Sequence, residues 1–186
     1  MAFNFKNPSK LFAWFYSLFC PVYGRTLYKE LLKALDLNGS ESVLDFGSGA
    51  GILAKKIIKN LSNDGKLTCL DLSEAFLNKV RKKLRKNTNV NFLLGDIREM
   101  DIPSDSFDKI LITWVIHHIE EEQRLGLVGS IADTLKADGK IYVIEYLTPP
   151  HGISEEILFE LFNGMGLSER MVYQRKNAAI FEFRRA

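Results

Sequence analysis

The stretch from Val43 to Gly51, which reads VLDFGSGAG, limits what this chain can fold into more than any other. An apolar run that ends in closely spaced glycines predicts a buried strand, then a tight turn, then the start of a helix. Glycines at alternate positions also let a ligand approach the backbone of the turn. Because Asp45 stands two positions before the first glycine, the stretch predicts a nucleotide-like binding site at the end of a strand.

The composition is that of an ordinary globular protein. The chain has 186 residues, of which 46% are apolar and 26% charged, which predicts one domain over residues 1–186. A formal charge of +2 gives no overall electrostatic reason to bind nucleic acid. Cys20 and Cys69 are far apart, and the uncharged run 11–24 is too short to span a bilayer. We therefore expect a cytoplasmic protein.

From residue 42 onward, strand-like and helix-like patterns alternate. The predicted strands lie at about 43–47, 67–71, 91–94, 107–113 and 140–145, and the main helices between them at about 50–61, after Ser73, and at about 120–136. This alternation predicts a doubly wound, mostly parallel sheet with helices on both faces. After a helix at about 153–165, two strand-like runs at 171–175 and 178–184 predict an antiparallel hairpin at one edge. The fold class is therefore α/β with seven strands.

The first 36 residues are predicted to form a helical cap segment. Eight of the chain's 21 aromatic residues fall within the first 23 positions, and an amphipathic helix follows at about 26–35. This segment could pack on the sheet, close an acceptor pocket as a lid, or dock on a membrane surface. Membrane docking has the weakest support, since only Lys6 and Lys10 supply positive charge before Arg25.

The acidic residues around the glycine turn narrow the ligand class. Asp71 comes 20 positions after Gly51, at the end of the next predicted strand, where its carboxylate can accept hydrogen bonds from both ribose hydroxyls. The glycine spacing is G-x-G-x-G, whereas dinucleotide sites use G-x-G-x-x-G. Asp45 would repel a diphosphate but suits an ammonium group. The pattern therefore favours a positively charged nucleoside over a nicotinamide dinucleotide.

At these residues the chain resembles the class I S-adenosylmethionine-dependent methyltransferases. The family's first motif is matched from Val43 to Gly51, its acid after the second strand by Asp71, and its acid after the third strand by Asp96. The resemblance implies S-adenosyl-L-methionine as cofactor, with Asp96 meeting the adenine amino group and Ile97 packing on the ring. The implied cofactor-binding residues are Asp45, Phe46, Gly47, Ser48, Gly49, Gly51, Asp71, Leu72, Asp96, Ile97 and Thr113. The layout is most similar to the ubiquinone/menaquinone-biosynthesis type.

Two adjacent histidines, His117 and His118, follow the fourth predicted strand and are the candidate catalytic residues. Methyl transfer depends mainly on holding donor and acceptor in line, and a base is needed only if the acceptor loses a proton. Either histidine could be that base or orient the acceptor. The alternative is a structural role at the strand end. A metal site is not expected, because adjacent side chains point apart and no third ligand is suitably spaced.

The predicted function is methyl transfer to a small, partly apolar acceptor. An RNA or protein methyltransferase is the first alternative, but the chain lacks a Pro-Pro-aromatic turn after its fourth strand. The basic residues from Lys79 to Lys86 are interpreted as a solvated helix face, which leaves nucleic acid an unexpected partner. A non-catalytic cofactor-binding subunit is the second alternative. The sequence predicts neither the acceptor atom nor the oligomeric state.

Overall fold

A computed structural model describes residues 24–148 and 152–185 of the chain. The strands are β1 (Ser42–Phe46), β2 (Lys66–Asp71), β3 (Val90–Leu94), β4 (Phe107–Thr113), β5 (Leu135–Tyr146), β6 (Leu167–Arg175) and β7 (Ala178–Arg185). The helices are α1 (24–35), α2 (Ala54–Ile57), α3 (Glu74–Leu84), α4 (Glu121–Asp133) and α5 (Glu155–Asn163). The strands form one sheet in the order β3-β2-β1-β4-β5-β7-β6. The predicted seven-stranded α/β fold is therefore confirmed.

The chain divides into two compact units, one ending at Asp96 and the other beginning at Ile97. In the first unit, β1, β2 and β3 run parallel, with Val43 opposite Leu67 and Leu67 opposite Val90. The apolar residues of β1 and β2 are almost fully buried, as expected for a sheet covered on both faces. The prediction of one domain remains a prediction.

Helix α2 is shorter than the predicted helix over residues 50–61. It begins only at Ala54 and passes into a 3-10 turn at Ile58–Asn60. The glycine turn explains the late start, because Gly51 has a φ of +71° and its N–H donates to the Ser48 carbonyl at 2.9 Å. A left-handed residue is incompatible with helix, so the helical hydrogen bonds start one turn later.

The second unit contains β4 to β7. Strands β4 and β5 are parallel, with Thr113 opposite Ile144, whereas β7 runs antiparallel to both β5 and β6. The predicted C-terminal hairpin is thus confirmed. The helix predicted at about 120–136 corresponds to α4, and its predicted end is wrong. Helix α4 ends at Asp133, and Leu135 already pairs with Phe107 in the sheet. The Thr134 carbonyl accepts the Ser106 and Phe107 N–H groups, which draws the chain into the sheet.

Of the predicted N-terminal cap, the structure describes residues 24–35, which form α1 and confirm the helix predicted at about 26–35. Leu27, Leu31 and Leu35 are buried along one side of α1. The aromatic residues of positions 1–23 lie outside the described residues, so the cap itself remains a prediction. Within residues 24–148 and 152–185, no helix combines the length and apolar character needed to cross a membrane.

Candidate active site

The glycine turn after β1 is held by backbone hydrogen bonds to β2. The N–H groups of Gly47 and Ser48 both donate to the Leu70 carbonyl, at 2.9 and 3.0 Å. Gly47, Gly49 and Gly51 all have positive φ, between 51° and 71°. At Gly51, a β-carbon would also lie 2.9 Å from the Val80 side chain on α3. The turn therefore needs glycine for its backbone conformation and, at Gly51, for helix packing.

Asp45 carries a buried carboxylate without a hydrogen-bond partner. It is 1% exposed, and neither carboxylate oxygen is paired. Burial, then the nearby charge of Asp71, raise the pKa of Asp45 to about 7, and the Ala54 backbone opposes this shift only in part. The Ser48 hydroxyl is likewise buried and unpaired. Since buried polar groups are normally satisfied, these two side chains fit the polar part of a ligand at the turn, as an aminoacyl nucleoside would supply.

Asp71, at the end of β2, holds two backbone segments. Its Oδ2 accepts the Gly49 N–H at 2.7 Å, and its Oδ1 accepts the Ser73 N–H at 2.8 Å. Burial raises the pKa of Asp71, and the Ser73 and Gly49 hydrogen bonds oppose that shift. A carboxylate oxygen has two lone pairs, so each oxygen retains one for a further donor. Asp71 therefore both anchors the glycine turn and can accept ligand hydroxyls.

The remaining predicted cofactor residues of the first unit flank this turn. Phe46 is buried at the end of β1, whereas Leu72 is 40% exposed directly after Asp71. Asp96 is half-buried after β3, and the preceding Gly95 donates its N–H to the Asp71 carbonyl at 3.2 Å. Leu72 therefore offers an exposed apolar surface close to the carboxylate of Asp71, which suits the flat face of a base.

Ile97 and Thr113 belong to the second unit. Ile97 is 4% exposed in the short 3-10 turn Ile97–Glu99, and Thr113 is 9% exposed at the end of β4. Ile97 therefore presents less surface to a ligand than the resemblance implied. Among the described residues, no group of three His, Cys, Asp or Glu side chains is arranged to hold a metal ion.

His117 is paired with Glu145, which is completely buried at the end of β5. The Nδ1 atom of His117 lies 2.5 Å from Glu145 Oε2. Glu145 Oε1 accepts the N–H groups of Val115 and Ile116, at 3.0 and 2.6 Å. Opposite a carboxylate, Nδ1 is the ring nitrogen that donates, and Nε2 is the one left for a further contact. Glu145 thus fixes both the backbone turn and the imidazole.

Aromatic rings surround this pair. The Trp114 and Tyr146 rings are 4.4 Å apart, and the His117 and Tyr146 rings 6.2 Å. Trp114 has a φ of +61°, which is unusual for a bulky residue and is found where function or packing imposes it. More than a third of the His118 surface is exposed. Burial of the remaining part, then the neighbouring His117, lower its pKa to about 4. His118 is therefore a neutral imidazole near pH 7.

Sequence reasoning singled out His117 as a candidate but did not predict its bond to Glu145. The available signal was the single charged residue that ends the apolar run from Ile141 to Ile144. The absence of a partner for Asp45 and the backbone conformation of Trp114 had no sequence signal. The individual cofactor contacts of the predicted residues remain predictions.

A parallel sheet with a glycine turn after β1, an acid after β2 and an unpaired acid within β1 defines a nucleoside-binding Rossmann-like protein of the methyltransferase class. Residues 43–139, just over half of the chain, match the family model described as "Methyltransferase domain". The chain belongs to this family, and its predicted membership of the S-adenosylmethionine-dependent methyltransferases is confirmed.

Similar proteins agree with this assignment. The ubiquinone/menaquinone biosynthesis C-methyltransferase UbiE of Shewanella halifaxensis is 26% identical over 144 residues, which are 76% of this chain and 56% of that protein. The chain spans about half the length of the curated relatives it matches. A SAM-dependent methyltransferase structure from Aquifex aeolicus has a TM-score of 0.73 at 22% identity, covering 84% of this chain and 88% of that one.

The N-methyltransferase NodS from Bradyrhizobium japonicum, solved with S-adenosyl-l-homocysteine, also has a TM-score of 0.73. It is 15% identical and covers 87% of this chain and 86% of its own. At these identities the structural neighbours show the fold alone.

Proposed function

We propose that this methyltransferase acts on a small, flat, partly apolar molecule whose reacting group loses a proton. When bound, S-adenosylmethionine supplies an electrophilic methyl group on a sulfonium. The chain's own task is then to orient the acceptor and remove its proton. The observation that carries the proposal is the hydrogen bond between His117 and the buried Glu145.

The pair has the features of a proton acceptor. Glu145 holds Nδ1–H, so the Nε2 lone pair of His117 can accept a proton from an acceptor hydroxyl. The carboxylate then stabilises the imidazolium that forms. Glu145 is itself fixed by two backbone N–H groups, which keeps the imidazole in one orientation. His118, whose pKa is lowered to about 4, is the weaker base of the two candidates.

The aromatic surroundings support a flat acceptor. Trp114 and Tyr146 pack against each other beside His117, and offset aromatic contacts stabilise planar ligands. Removing a proton from a hydroxylated ring makes both the oxygen and the adjacent ring carbon nucleophilic. If the carbon takes the methyl group, it then loses its own hydrogen as a proton, and the oxygen regains one, which restores the aromatic ring. The relatives are named C-methyltransferases, which favours the carbon. We include the cytoplasmic location in the proposal, since the two cysteines form no disulfide framework in the sequence.

On the cofactor side, we assign the ammonium group to Asp45, the ribose hydroxyls to Asp71 and the adenine amino group to Asp96. Leu72 is assigned to the face of the base. The support is the unpaired carboxylate of Asp45, the remaining lone pairs of Asp71 and the exposure of Leu72.

Two measurements test the proposal in sequence. S-adenosylhomocysteine, but not NADH, should raise the melting temperature of the wild-type protein. With a panel of hydroxylated aromatic acceptors, Glu145→Gln should lower kcat by about 10²- to 10⁴-fold and change the pH–rate profile, while the affinity for S-adenosylhomocysteine stays within about threefold.

Glu169→Gln is the matched control, because Glu169 is an exposed carboxylate on β6. Binding of S-adenosylhomocysteine without turnover of any acceptor would favour the non-catalytic subunit. Turnover that is equally fast in Glu145→Gln would refute the role of the pair.

A further inference from the structure

The charged residues of this chain are unevenly distributed, although its formal net charge is only +2. Up to Asp96 the sequence holds 15 Lys and Arg against 8 Asp and Glu, and from Ile97 onward it holds 10 against 15. The first unit therefore carries a formal charge of +7 and the second −5. Between Leu72 and Gly95 the only acidic residue is Glu74. The excess positive charge is thus concentrated along α3 and the adjoining part of α2.

We call the basic surface of these two elements the lysine face; it consists of Lys55, Lys59, Lys79, Lys82, Lys83 and Lys86. Four of them follow the spacing i, i+3, i+4, i+7, which places them on one side of α3 and the turn after it. All six are exposed except Lys79, which is half-buried. Lys55 on α2 and Lys59 in the 3-10 turn that follows supply the other two.

These lysines lie close enough together to repel one another. Burial, then the charges of Lys79 and Lys55, lower the pKa of Lys83. The helix dipole stabilises Lys82 and Lys83 in the last turn of α3. Repulsion between like charges at i and i+4 opposes this stabilisation. The Lys83 Nζ also donates to the Ala50 carbonyl at 2.5 Å. One edge of the lysine face therefore reaches the glycine turn.

The residue types favour a lipid surface over a nucleic acid. Seven of the nine basic residues in segments 54–60 and 74–86 are lysines, and only Arg81 and Arg85 are arginines. Lysine is a hydrated point charge rather than a planar donor that recognises phosphate or bases bidentately. Arg81 instead packs over the Phe92 ring and bonds to Asn78. The aromatic residue within α3, Phe76, is buried under the Lys79 side chain and is closed to stacking with bases.

We propose that the lysine face is a docking surface for an anionic lipid membrane, with the glycine turn held next to that surface. Clustered lysines bind anionic headgroups through their summed charge and need no individual pockets. This contact is independent of the proposed acceptor chemistry, because it uses only α2, α3 and their flanking residues.

Vesicle co-sedimentation of the full chain tests the proposal. The protein should bind phosphatidylcholine vesicles containing phosphatidylglycerol, but not pure phosphatidylcholine vesicles, and the binding should weaken as salt screens the charges. Lys82→Gln with Lys86→Gln should weaken binding on the order of 10- to 30-fold, since each lysine near an anionic surface contributes about fivefold. Lys29→Gln with Lys66→Gln is the matched control, because both residues are exposed and the charge change is equal.

An unchanged melting temperature and S-adenosylhomocysteine affinity will show that the double variant is folded. If it does not fold, Lys55→Gln with Lys59→Gln makes the same test on α2. Equal weakening in the control pair would overturn the proposal, because net charge alone would then explain binding. Absence of binding to the anionic vesicles would also overturn it, as would tighter binding to RNA that depends on the same lysines.

Discussion

Replacing Asp45 with asparagine should stabilise the protein without cofactor and weaken cofactor binding. Asp45 is buried, both its oxygens lack partners, and its pKa is raised from 3.8 to about 7. Between these two pKa values the native state holds a proton that the unfolded state has released. Stability must therefore fall as pH rises through this range. Asparagine has nearly the same shape and no charge, so the variant lacks this contribution.

The size of the effect follows from the two pKa values. Integrating the difference in bound protons from about pH 5 to about pH 8 gives a loss of about 2–3 kcal/mol that Asp45 alone imposes on the wild type. The buried amide of asparagine carries its own desolvation cost, but that cost does not change with pH. The pH slope of the free energy of unfolding, rather than its absolute value, is therefore the informative quantity.

Cofactor affinity should respond in the opposite direction. If Asp45 must be ionised to meet an ammonium group, wild-type affinity for S-adenosylhomocysteine should rise on the order of 20-fold from about pH 5.5 to about pH 7.5. Asp45→Asn should bind more weakly, and its affinity should be nearly constant over that range.

Urea denaturation without ligand and calorimetry with S-adenosylhomocysteine, each on both proteins across this pH range, make the measurements. Parallel stability slopes in the two proteins would show that Asp45 does not titrate near pH 7. The stability slope could disappear in Asp45→Asn while the affinity of that variant for S-adenosylhomocysteine still changed with pH. That result would support the raised pKa of Asp45 and refute its contact with the ammonium group.

Three further predictions concern the same two turns. Gly51→Ala should lower the free energy of unfolding, measured in urea, by about 1–3 kcal/mol, because Gly51 has a positive φ and its added β-carbon would meet Val80. In a Val80→Ala background the contact is relieved, so the same substitution should cost less but still destabilise the protein. If it cost nothing there, backbone strain would be excluded. Asp71→Ala should cost about 1–3 kcal/mol of S-adenosylhomocysteine affinity by calorimetry, whereas the exposed Asp64→Ala should not; unchanged affinity would exclude the ribose role. His118→Gln should leave the pH–rate profile above about pH 5 unchanged, since its pKa is about 4; a shifted profile would make His118 a participant.

The sequence predicted the alternation of strands and helices because both periodicities are local. It also predicted the glycine turn and the acid after β2, since each lies at the end of a strongly apolar strand. The bond between His117 and Glu145 could not be predicted in this way. It depends on the register that places Thr113 opposite Ile144, and register is set by the packing of the whole sheet.

The end of α4 and the start of α2 were misjudged for a related reason. At the end of α4, the apolar pattern continues past Thr134, whose carbonyl is hydrogen-bonded to Ser106 and Phe107. At the start of α2, the pattern begins before the helix can, because Gly51 has a left-handed backbone conformation. Local propensity reports neither a tertiary hydrogen bond nor the φ that a turn imposes.

Three of the buried carboxylates in the described part of the chain accept backbone N–H groups, whereas a fourth, Glu182, is paired with side chains. Glu41 accepts the N–H groups of Asn38 and Gly39, Asp71 those of Gly49 and Ser73, and Glu145 those of Val115 and Ile116.

Each of these three acids fixes the backbone of a turn, so its removal should destabilise the fold. Asp45 holds no such turn, and its ionised form is a cost to the fold near neutral pH. A group that destabilises its own fold and yet lies behind the glycine turn is best explained by a ligand that satisfies it. Asp45 is therefore the buried acid whose replacement should separate binding from stability.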